Sequence, residues 1–71
     1  MVVVMFHTLI ETAAFDPEAT RLLGLAFEQA SARAGGDQYQ RELIALRIIY
    51  AAKNGERDVH RLAEYGLNGR A

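Results

Sequence analysis

Lys53, Arg57 and Arg61, with His60 beside them, are the residues of this 71-residue chain best equipped for a chemical task. Lys and Arg neutralise phosphates, and Arg reaches base edges in a major groove. The segment that carries them, Tyr50 to Gly55 followed by Asp58 to Tyr65, reads as a helix, a turn and a second helix. That is the order a helix-turn-helix nucleic-acid binder needs. The footprint is thin, because Asp58 and Glu64 share the second helix and the whole chain has a net charge of −1. The same residues also have a plainer use. In Gly55-Glu56-Arg57-Asp58, Gly55 stops one helix and Asp58 caps the next, leaving Glu56 and Arg57 solvated between them. A turn in which Arg57 and Arg61 meet an acidic partner is the sharper reading, and helix punctuation is the sufficient one.

Catalytic chemistry finds less to work with. Glu42 and Glu64 stand at no spacing that would pair them, and His60 has no Ser or Cys nucleophile in a recognisable motif. No glycine loop leads into Lys and Ser or Thr to cradle a phosphate. Cysteine is absent and there are two histidines, His7 and His60, so no Cys/His cluster can form. The expectation is a non-enzymatic protein with no catalytic residue, metal or cofactor. His60 reads as a surface side chain and His7 as a packed or frayed one. Tyr39 and Tyr50 read as core aromatics with hydroxyls at the edge. Arg47 has Leu43, Ile44, Tyr50 and Ala51 at helical neighbour spacing. With no carboxylate among them, its partner must come from another element, another chain or water, and plain solvation is the expected state.

Charge is uneven along the chain. Residues 1–40 hold two Arg against five Asp/Glu, and residues 41–71 hold six Arg/Lys against four, so the second half is mildly basic. The first ten residues, MVVVMFHTLI, are apolar but have no leading Lys or Arg and no small-residue cleavage site. No apolar run reaches the roughly 20 residues of a spanning helix. A soluble, cytoplasmic protein with no membrane partner is expected, and Met5 offers an alternative start.

The elements that position these residues are clearly punctuated. Asp16-Pro17-Glu18 opens a helix: a capping carboxylate, a proline that needs no donor, and an acid at the positive end of the dipole. Ala19, Leu22, Leu23, Ala26, Phe27, Ala30 and Ala34 then form one apolar stripe, with Gly24 and Leu25 off it, until Gly35-Gly36. Asp37 opens a second helix with Gln40 as capping-box partner, and Gly55 closes it. Asp58 starts a short third helix with Val59, Leu62 and Ala63 inward, and Gly66 and Gly69 break the chain beyond it. In residues 1–15, Val2-Val3-Val4 favours extended chain, while Thr8 to Glu11 has the form of a capping box. An extended or loosely ordered arm is expected there.

The second helix raises the main question. Nine of the ten residues from Leu43 to Ala52 are apolar, with Arg47 the interruption. On a wheel of about 100° per residue, Tyr39, Leu43, Leu46, Ile49 and Tyr50 fall on one side. Ile44, Ala45, Ile48, Ala51 and Ala52 fall on the other. A helix apolar on two sides is normally a central one, and a chain this short offers few neighbours. The first face, with its large side chains, is expected to pack on Leu23, Phe27 and Ala30 of its own chain. The second, where Ile mixes with Ala, is expected to meet another chain through Ile44, Ile48 and Ala51. Two alternatives stand beside this: the faces exchange roles, since Tyr50 and Ile49 would serve an interface as well, or the third helix and the arm fold over the second face and keep a monomer.

Phe15-Asp16-Pro17-Glu18, Ala26-Phe27-Glu28, and the run Ile48-Ile49-x-x-Ala52-Lys53-x-Gly55-Glu56-Arg57-Asp58-x-x-Arg61-Leu62 together resemble a group of short, uncharacterised bacterial proteins. That group has an FDPE-type opening and a GERD-type turn. The resemblance spans roughly Phe15 to Leu67. Val59 departs from it where Pro or another helix starter is expected, and MVVVMFHTLIETAA lies outside it. It implies an all-helical fold and brings no activity, cofactor or site residue.

The reading is therefore one small all-α domain over 1–71: arm 1–15, helices 16–34, 38–54 and 58–66. Its expected role is a protein-protein interaction module that forms a homodimer or docks on a partner helix. The second reading is a small nucleic-acid-binding regulator using Lys53, Arg57 and Arg61.

Overall fold

Three aspartates start the three helices. In the computed structural model, which describes residues 15–69, these are α1 (Pro17–Ala34), α2 (Gln38–Lys53) and α3 (Val59–Asn68), with no strand among the described residues. Asp16 Oδ1 accepts from the Ala19 N–H at 2.7 Å, Asp37 Oδ1 from Gln40 at 3.0 Å and Asp58 Oδ1 from Arg61 at 3.0 Å. Each carboxylate thus satisfies an amide that has no intrahelical acceptor, at the end where the dipole favours an anion. Gly35 and Gly69 close α1 and α3 in the left-handed conformation that glycine adopts without strain. The arm expected over residues 1–15 lies outside the described residues, except for Phe15.

The core is built from α1, α2 and α3 together, each packed on the other two. Leu23, Ile44, Ile48 and Leu62 are its fully buried large side chains, and seven alanines on the three helices fill the space between. Burying each Leu or Ile is worth about 1.5–3 kcal/mol, and the alanines let the helix axes approach. On α1 the buried residues Ala19, Leu23, Ala26 and Ala30 lie on the expected stripe, with Leu22 and Phe27 at its edge, while Ala34 at its end is exposed.

Gly66 does not break the third helix. It is buried inside α3, which runs on to Asn68. A Cβ on Gly66 would stand 2.9 Å from Ile48 Cγ1 and 3.0 Å from Ile44 Cγ2. The glycine is present because α3 crosses α2 too closely for any side chain, a tertiary reason that outweighs its poor helix propensity.

The described residues span 28 × 25 × 15 Å. With three helices packed on one another and no further element among the described residues, every helix keeps an outer face.

Candidate interaction surface

The outer face of α2 is apolar. Tyr39 and Tyr50 are 68% and 71% exposed and Leu46 is 47% exposed, with Leu43 half-buried between them. The spacing of the four residues, four then three then four, brings them onto one line down the helix. This is the face expected to pack inward. The face expected to meet another chain is instead the core: Ile44, Ile48 and Ala51 are 2%, 0% and 4% exposed. The interface assignment of Ile44, Ile48 and Ala51 is therefore corrected, and the two faces exchange roles. The physical reason is the glycine of α3. A helix that presents Gly66 can nest against branched Ile side chains, and α1 brings its own alanines to the same side, so the mixed Ile and Ala face is the one that closes tightly. Ile49, from the opposite set, is also buried.

Two hollows flank Tyr50 where α2 and α3 meet. One, of about 400 Å³, is lined by Leu46, Arg47, Tyr50, Tyr65 and Gly69. The other, of about 430 Å³, is lined by Tyr50, Ala51, Asn54, Gly55, Glu56 and Tyr65. The tyrosine stripe is thus a ridge with depressions beside it rather than a flat patch.

Arg47 is not simply solvated. Its Nη1 donates to the carbonyls of Gly66 at 3.3 Å and Leu67 at 3.5 Å. These belong to the last turn of α3, where carbonyls lack intrahelical donors and the dipole is negative, so the guanidinium serves as a C-terminal cap in trans.

The Gly55–Asp58 turn is closed on itself. Gly55 N–H donates to Ala52 O at 3.0 Å and Glu56 N–H to Ala51 O at 3.1 Å, the paired bonds of a Schellman ending, with Gly55 at φ 105°. Glu56 Oε2 accepts from the N–H groups of Arg57 and Asp58, both at 3.2 Å. Its other oxygen pairs with Arg61 at 3.4 Å. Arg57 Nη1 donates to Ala52 O at 2.7 Å and Glu56 O at 2.8 Å, and its guanidinium carbon lies 5.5 Å from the centre of the Phe15 ring. The FDPE opening and the GERD turn therefore touch. Arg57 ties the entry of α1 to the exit of α2.

Of the three proposed nucleic-acid contacts, Arg57 and Arg61 are engaged within the turn, and Lys53 is exposed at the end of α2. His60 is also exposed on α3, while Glu64 pairs with Arg33 of α1 at 3.0 Å and accepts from Asn68. The side chains of Lys53, Arg57 and Arg61 are all exposed. Among the described residues no group of three or more His, Asp or Glu is placed to hold a metal ion, and no helix is long and apolar enough to cross a membrane. The signal sequence reasoning missed was the choice between two apolar faces, and Gly66 carried it.

No family model, curated protein or solved structure matches the chain.

Proposed function

We propose that the chain is a non-enzymatic interaction module that self-associates through the outer stripe of α2. The observation that carries this reading is the exposure of Tyr39, Leu46 and Tyr50 in one line on a helix whose other face is already buried. A contiguous exposed apolar stripe is a feature of interaction sites, and tyrosine suits one: it offers a large rigid contact and a hydroxyl that tolerates water. The half-buried Leu43 and the hollows beside Tyr50 give the stripe relief, which favours a specific partner over general stickiness.

The test is sedimentation equilibrium of the 71-residue chain at micromolar concentration, where a mass of two chains is expected. A mass of one chain removes self-association. Two substitutions then separate the faces. Leu46→Glu places a charge on the exposed stripe and is expected to give a helical single chain. Ile48→Glu buries an unpaired carboxylate in the core and is expected to unfold the protein. The opposite pattern would mean that the core is misassigned.

A further inference from the structure

We infer that Asn68 is a site of spontaneous deamidation in the folded protein, and that the fold shields Asn54 from the same reaction. The chain has two asparagines, and glycine follows each of them. In an Asn-Gly pair the backbone nitrogen of glycine can attack the asparagine Cγ, because glycine has no Cβ to obstruct the approach. A bond forms between that nitrogen and Cγ, and the Cγ–Nδ2 bond breaks. Ammonia leaves, carrying the proton that the glycine nitrogen gives up. Water then opens the five-membered imide at either carbonyl, giving aspartate or isoaspartate. Water is the one co-reactant, and the chemistry does not depend on the self-association proposed above.

The two sites differ in what must move. The ring closes when the glycine nitrogen swings towards Cβ, which by the tetrahedral arrangement at Cα needs an asparagine ψ of about −120°. Asn54 has ψ 7°, about 130° from that value. Its surroundings are tied down as well. Gly55 N–H, the nucleophile, donates to Ala52 O at 3.0 Å, and Glu56 N–H donates to Ala51 O at 3.1 Å. Asn54 Nδ2, the leaving group, donates to Tyr50 O at 2.9 Å, and Arg57 donates to the same Ala52 carbonyl at 2.7 Å. Asn54 also stands between two packed helices. Turning its ψ would swing α3 away from α2, and Leu62 and Ala63 of α3 are buried in the core. Asn68 is the last residue of α3, where a regular helix has ψ of about −42°, so about 80° of rotation suffices. Of the described residues that rotation moves Gly69 alone, and it breaks the Gly69 N–H bond to Tyr65 O at 2.8 Å. The exposed Asn68 side chain donates to Glu64 Oε2 at 3.0 Å. Opening of a helix end is among the least costly local fluctuations. The product then acts on the fold. An aspartate at position 68 stands one turn beyond Glu64, like charge on like, at the end of α3 where the dipole is negative. Deamidation therefore loosens the last turn of α3.

The test is incubation of the full chain in mildly alkaline buffer, followed by trypsin digestion and mass spectrometry. Cleavage after Lys53, Arg57, Arg61 and Arg70 puts Asn54 and Asn68 on separate peptides. Each conversion replaces an amide by a carboxyl group and is read as the matching gain in mass. In the folded protein Asn68 is expected to convert about tenfold faster than Asn54, the factor that two or so additional hydrogen bonds impose on opening. In guanidinium chloride the two rates are expected to converge, because the dipeptide is the same. Asn54 converting as fast as Asn68 in the folded protein, or faster, overturns the assignment. So does a folded protein in which Asn68 stays intact while the unfolded chain converts at both positions. A tenfold difference that persists in the unfolded chain assigns the selectivity to neighbours in sequence and overturns shielding by the fold. Asn68→Asp supplies the aspartate product directly. It is expected to remain helical by circular dichroism, with a urea midpoint below that of the wild type and a difference that shrinks in high salt. A midpoint equal to that of the wild type overturns the loosening of α3.

Discussion

Arg57 shows how much a single exposed side chain does when its charge is placed at a helix end. It donates to two carbonyls at 2.7 and 2.8 Å and lies over Phe15. Charge-assisted hydrogen bonds contribute about 1.5–3 kcal/mol and an exposed cation–aromatic contact about 0.5–1 kcal/mol. Solvent screening and the loss of only part of each term set the expectation for Arg57→Ala at about 1–3 kcal/mol in urea unfolding. Arg57→Lys is expected to recover little, because an ammonium lacks the planar face and the paired donors. A sedimentation mass in Arg57→Ala equal to that of the wild type would separate this structural role from recognition. Gly66 makes the complementary point. Alanine is normally the better helix former by about 1 kcal/mol. Here the added carbon would meet Ile48 and Ile44 at 2.9 and 3.0 Å, both held in the core. Gly66→Ala is expected to lower stability by about 1–3 kcal/mol, as overpacking does, and a rise in the urea midpoint would show that α2 and α3 can separate freely. Neither effect was legible locally. The sequence shows that Arg47 and Arg57 lack a carboxylate at helical spacing, but their acceptors are carbonyls on other turns. Gly66, taken alone, looks like a helix breaker.

At the scale of the element, the helices are written in local chemistry and the packing is not. Asp16, Asp37 and Asp58 each accept from the amide three residues on, an arrangement that depends on neighbours in sequence alone and so can be read from it. Asp58→Ala is expected to cost about 0.5–2 kcal/mol, and Asp16→Ala about the same, in thermal or urea unfolding. Unchanged stability together with lost self-association in Asp58→Ala would turn the cap into a binding residue. The stripe of α1 was equally legible, because a single apolar face leaves no choice of orientation. Helix α2 offered two apolar faces. Propensity and periodicity treat them alike, and the size of the side chains pointed to the wrong one. What decided was a feature of a different helix: the Gly66 surface of α3 accepts Ile44 and Ile48, and the tyrosines that ridge the other face would have held α3 away.

At the scale of the whole molecule, three short helices leave the core with little reserve. A chain of this size buries a smaller share of its surface than a large one, and the absence of cysteine removes disulfides as support. Association through the stripe of α2 would supply part of the missing burial: two tyrosines and two leucines per chain leave water, and in return the folded state gains a concentration-dependent term. Mass action then links stability to self-association directly. If the folded chain dimerises and the unfolded chain does not, raising the protein concentration a hundredfold above the dissociation constant stabilises the fold by about 2–3 kcal/mol. For a domain of this length, that corresponds to a rise in melting temperature of order 10 °C. Leu46→Glu removes the stripe without touching the core, so its melting temperature is expected to stay constant over the same range and to coincide with that of the dilute wild type. Calorimetry at matched concentrations checks both. A wild-type melting temperature that does not move with concentration would mean that the three helices stand alone, and the exposed tyrosines would then need an occupant other than a second copy of the chain.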